Sequence, residues 1–138
     1  MRKIIRSVHY AAKGLRHAYG GDKSFRMEVN YGLPIYLGVA WLLAPLEPWE
    51  LLLYTFSYLL ILMVELINTA FEKMLERVHP DEHELIGRSK DIAAAAVLLA
   101  FLFAIVVIFA LAYTRFGIIR NSLGNLSVRY LSCVILAT

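Results

Sequence analysis

Glu65, Asn68, Thr69, Glu72 and Glu76 are spaced i, i+3, i+4, i+7 and i+11. On a helix turning about 100° per residue they share one arc roughly 100° wide. Carboxylates and an amide on one stripe suit two kinds of chemistry. A carboxylate in apolar surroundings can take the proton of a hydroxyl, and carboxylates at the water's edge can hold Mg²⁺ through oxygen. The fourteen residues before the stripe, Leu51 to Val64, carry no charge, so it follows a run of the kind that crosses a membrane, where an ionisable group marks function by default. With Leu51 at the outer edge of the hydrocarbon, Glu65 lies about 21 Å in, roughly 9 Å short of the inner edge. Glu72 then falls at the water line and Glu76 projects beyond it. A lipid hydroxyl would meet the first carboxylate and a soluble phosphate donor the second.

The elements that must hold this stripe predict an all-α membrane protein. Of 138 residues, 59% are hydrophobic and 18% charged, with mean hydropathy +0.61. Three spans are expected, at about 29–46, 49–71 and 92–113, the last without a single charge. Residues 1–28 hold seven of the fourteen Lys and Arg, the connection 72–91 holds four and the first loop none. That places the N-terminus and second loop in the cytoplasm, with Arg115, Arg120 and Arg129 in the tail as a mild counterargument. Residues 2–19 set Ile4, Val8, Ala11, Leu15 and Ala18 against Arg6, Lys13, Arg16 and His17, the pattern of a basic helix lying in the membrane surface. Gly20-Gly21 should break it. The pI of about 9.1 fits an anionic bilayer surface rather than nucleic acid, because the basic residues flank apolar spans.

Plainer readings compete at several positions. Asn68 and Thr69 could serve helix–helix hydrogen bonding, Glu76 could be a solvated helix-end charge, and Ala93 to Ala96 read as a close-packing surface. His79 and His83 flank Pro80, Asp81 and Glu82, but the order is not HExxH and a solvated loop is the better reading. Cys133 stands alone and reads as incidental. The chain has no GxxxxGK[ST], GxSxG or dinucleotide glycine motif, so nucleotide chemistry would need other parts than those of soluble kinases.

The run Glu65-Leu-Ile-Asn68-Thr69-Ala70-Phe-Glu72, with His83-Glu84-Leu-Ile-Gly87-Arg88-Ser-Lys90-Asp91 and the small-residue start of the third span, resembles the prokaryotic diacylglycerol kinase family, which includes undecaprenol kinases. Lys13-Gly14-Leu15-Arg16 and Phe25-Arg26-x-Glu28 extend the likeness over roughly residues 2–113, leaving 114–138 as a tail with a turn-like run from Asn121. The resemblance implies a lipid kinase of three spans and a surface helix in the bacterial cytoplasmic membrane, a homotrimer with active sites at subunit interfaces, using ATP and Mg²⁺. By position it implies Glu65 as the base and Asn68 beside it, Glu72 and Asp22 on the metal, and Lys90, Asp91 and Lys3 with Glu72 and Asp22 at the nucleotide. Glu76, Glu28, Arg26 and Thr69 are further candidates. Glu76 stands where the family usually has Asp, and Asp22 where it has Glu. His83 to Arg88 favours diacylglycerol as acceptor; the alanines after Asp91 are closer to undecaprenol kinases. A reading of another class is a three-span bundle for proton or cation passage, which leaves Lys90, Asp91 and Asp22 without a task.

Overall fold

A computed structural model describes residues 2–78 and 84–136, with side chains described as far as residue 117. Helix α1 (Arg2–Gly21) is followed by α2 (Lys23–Met27), a π-turn (Glu28–Gly32) and α3 (Leu33–Leu43), then by α4 (Pro48–Val78) and α5 (Glu84–Leu136). There is no strand among the described residues. The expected loop histidines, His79 and His83, lie outside them.

Gly20 and Gly21 do not end α1; the helix continues through both, and the break comes at Asp22, which is extended (φ −121°, ψ 126°). Its side chain supplies the reason, since Asp22 Oδ1 accepts the Phe25 N–H at 2.8 Å and caps α2. A helical glycine costs only about 1 kcal/mol, less than a bound cap recovers together with the packing that follows. The π-turn sits one turn ahead of Pro34, which has no N–H to give the carbonyl four residues back and crowds it. Widening the turn there removes the conflict. The helix stops at Leu43, three residues before the expected end, because Ala44 precedes Pro45 and is extended (ψ 150°).

Helix α4 is built inside out. Its buried positions are Glu50, Tyr54, Ser57, Ile61, Glu65 and Thr69, a largely polar stripe. Leu52, Phe56, Leu59, Met63 and Ile67 on its other side are exposed. No soluble core is arranged this way; a helix among apolar lipid is. Both α4 and the Glu84–Gly117 part of α5 are long and apolar enough to cross a membrane. They pack on each other through Ala100 and Ala104, both buried, against Ile61, and at the far end Tyr54, Val107 and Leu111 pack together with Leu43 of α3. The alanines that allow close approach therefore lie beyond Ala93–Ala96, of which Ala94 to Ala96 are exposed. Helix α5 also runs on through the Asn121 segment, where a turn was expected. With no proline after Pro80, the modest preferences of Asn, Ser and Gly do not outweigh propagation of a helix already formed.

Candidate active site

The expected stripe forms one unbroken face of α4 and grades from interior to surface. Glu65 and Thr69 are each 4% exposed, Asn68 and Glu72 are half-buried and Glu76 is exposed. Asn68 Nδ2 donates to Glu72 Oε1 at 3.2 Å, which orients both side chains one turn apart. Asn68 Oδ1 and Thr69 Oγ1 are buried without a partner.

The N-terminal segment brings two more carboxylates to this face. Asp22 and Glu72 act on the charge of Glu65, and Glu28 feels both Glu65 and Asp22. Each is placed by local structure. Asp22 is held by its cap, and the buried Phe25 ties that cap to the bundle. The π-turn carries Glu28, whose carbonyl accepts the Leu33 N–H and, at 3.0 Å, the Tyr58 hydroxyl from α4. Gly32 lies beside this contact: a Cβ there would stand 3.4 Å from the Tyr58 ring, in van der Waals contact with it. Glu28 stands just before residues 29–46, the expected first span. Burial, then the carboxylates of Glu65 and Asp22, push it up to about 7, and its Oε2 is buried without a partner.

Four carboxylates from three elements are a concentration of hard oxygen donors. Among the described residues no three side chains form a ready metal cage. Carboxylate oxygens are the donor type that Mg²⁺ takes, usually one or two of them, with phosphate oxygens and water completing its shell. Asp22 has one oxygen committed to its cap and a second to offer. Two clefts flank the stripe. One, of about 320 Å³, lies between α4 and α5 and is lined by Asn68, Phe71, Ser89 and Ala93. The other, of about 500 Å³, lies between α1 and α4 and is lined by Gly14, His17, Thr69 and Lys73.

Lys90 does not join the carboxylate group within one chain. Its Nζ lies 3.5 Å from Glu76 Oε1, and this half-exposed pair links the ends of α4 and α5. Asp91, Arg26 and Lys3 are exposed. Sequence reasoning missed Tyr58, Gly32 and Pro34 as the parts that position Glu28; the Gly32-x-Pro34 pair after an acidic residue was the available signal. It also missed the Lys73 ammonium, which rests about 3.5 Å from where a Gly21 Cβ would stand. The tail residue Arg115 pairs with the buried Glu50 at the opposite end of the bundle.

The profile of the prokaryotic diacylglycerol kinase family matches residues 9–112. The chain is 35% identical to the diacylglycerol kinase of Escherichia coli K12 over 118 residues, covering 83% of this chain and 93% of that one. It is 32% identical to the Haemophilus influenzae diacylglycerol kinase over 102 residues, 70% and 80% of the two chains. A Synechocystis diacylglycerol kinase is 31% identical over 105 residues, 75% of this chain and 59% of the other.

Proposed function

The chain belongs to the prokaryotic diacylglycerol kinase family, and from that premise we propose that it transfers the γ-phosphoryl group of ATP, with Mg²⁺, to the hydroxyl of diacylglycerol at the cytoplasmic face of the bacterial inner membrane. The observation that carries this reading is the convergence of Asp22, Glu28, Glu65 and Glu72 where a polar helix face leaves the apolar layer. Glu65, the deepest, accepts the proton of the acceptor hydroxyl as oxygen attacks phosphorus. Asn68 holds Glu72 and offers its free Oδ1 to the substrate side of the stripe. Asp22 and Glu72 are the residues to hold Mg²⁺, which neutralises charge on the transferring phosphoryl group when bound. Phosphoryl transfer asks for alignment and charge neutralisation, and a fixed pair of carboxylate-bearing elements meets that need without a phosphate-binding loop.

Lys90 and Asp91 stand outside the cluster in a single chain. A homotrimer with its sites between subunits, the π-turn and α3 completing three spans in each, lets them meet a neighbour's carboxylates and the ATP phosphates. Purified protein in mixed micelles should consume ATP only with Mg²⁺ and a lipid alcohol and should form phosphatidic acid from diacylglycerol. Glu72→Gln should abolish this turnover while assembly persists. Phosphorylation of undecaprenol in preference would move the acceptor to the other branch of the family. Lipid-independent ion flux with no phosphoryl transfer would replace the kinase reading.

A further inference from the structure

A third cavity, of about 220 Å³, lies between the π-turn with α3, α4 and α5 and is lined by Glu28, Tyr36, Tyr54, Tyr58, Ala104 and Ile105 among others. Along the π-turn and α3 it reaches from Glu28 to Val39, eleven positions or about 16 Å. One leaflet of a bilayer is about 15 Å of hydrocarbon, half of a core about 30 Å thick. The three tyrosines present rings to the cavity. Tyr36 stacks on Tyr54 and on Tyr58 with centroids 4.6 and 4.8 Å apart. Their hydroxyls are all engaged inside the protein, on Thr55, the Tyr36 carbonyl and the Glu28 carbonyl. An apolar void at this depth stays free of water.

The two ends differ. At the inner end stands Glu28, with its partnerless Oε2, close enough to Glu65 for the two charges to interact. The outer end abuts the packed cluster of Leu43, Tyr54, Val107 and Leu111, and the Glu50–Arg115 pair lies beyond. Resting on the kinase reading, we propose that this cavity is an acyl-chain slot. It takes one hydrocarbon chain of the acceptor lipid, with the lipid hydroxyl at the Glu28 and Glu65 end, and its closed outer end selects chains no longer than one leaflet. The occupant is argued from complementarity: a single polar end that accepts a hydroxyl's hydrogen bond, then apolar walls for the depth of a leaflet. A diacylglycerol chain meets both conditions. A polyprenol longer than the leaflet would have to pass through the packed outer cluster, so the slot favours the glycerolipid.

Ile105 lines the cavity but is 46% exposed, so Ile105→Trp can fill the slot from its edge without disturbing the buried alanines. The variant should lower kcat/KM for dioleoylglycerol at least tenfold in mixed micelles, leaving the KM for ATP and the rate with dihexanoylglycerol unchanged. Equal loss on both lipids, or no loss on either, would overturn the slot. A second measurement does not depend on turnover. Dioleoylglycerol-like lipid carrying a diazirine at the chain terminus should crosslink wild-type protein near Tyr54 and Ile108, and Ile105→Trp should suppress that labelling. Crosslinks confined to lipid-facing residues such as Leu52 and Leu98 would refute the slot, as would exclusion of the probe by a neighbouring protomer. A wild-type protein that labels in the slot yet phosphorylates no lipid would refute the kinase reading and leave the slot standing.

Discussion

Replacing Asp22 separates two duties that one side chain combines. Its Oδ1 caps α2 through the Phe25 N–H at 2.8 Å, and its charge is one of the two proposed to hold Mg²⁺. Asparagine caps helices about as well as aspartate, whereas alanine loses about 1 kcal/mol. Asp22→Asn should therefore unfold within about 0.5 kcal/mol of wild type, followed as reversible unfolding in micelles of increasing denaturing-detergent fraction. The same variant removes a ligand charge. A loss of about 2.7 kcal/mol in transition-state stabilisation, the scale of removing one electrostatic contact, lowers the rate on the order of 100-fold. A Mg²⁺ titration of kinase activity should also show a midpoint moved to higher concentration. Asp22→Ala should show the same kinetic loss together with about 1 kcal/mol lower stability, because Phe25 and Glu28 lose the turn that presents them. If Asp22→Asn keeps wild-type kcat and Mg²⁺ midpoint, Asp22 is a cap only and the metal assignment fails.

Three further outcomes test the rest of the construction. Glu65→Gln should lower kcat by on the order of 10²–10⁴-fold with the KM for ATP nearly unchanged; an active variant would leave the acceptor hydroxyl without its base. Glu50→Gln should destabilise the fold by about 3–5 kcal/mol, since it strands the partly buried Arg115, while the KM values of the surviving enzyme stay near wild type; a stable variant would mean the pair adds little. The Glu28 carboxyl, at about 7 in the folded chain against an ordinary 4.5, keeps a proton that the unfolded chain releases. Stability should fall as pH rises from about 4.5 through about 7, and Glu28→Gln should flatten that slope in a pH series of unfolding midpoints. An unchanged slope would place Glu28 in solvent.

The helices and the polar stripe were open to reading because they are local. Charge-free runs and a 3.6-residue period depend only on chain geometry, so Glu65, Asn68, Thr69 and Glu72 could be put on one face of α4 before any fold was known. Length and hydropathy likewise marked α4 and the first part of α5 as membrane helices. Breaks were harder to read. Gly20-Gly21 looked like a terminus, but the helix yields only where Asp22 has a backbone N–H to cap, and Pro34 widens a turn instead of ending one. What only the tertiary structure decided is the company each polar group keeps. Tyr58 reaches the Glu28 carbonyl across thirty residues, Arg115 reaches Glu50 across sixty-five, and Lys90 turns to Glu76. Such pairings depend on helix crossing and register, which are fixed by side-chain packing at Ala100, Ala104 and Ile61. Periodicity names the face of a helix, and packing alone determines what that face meets.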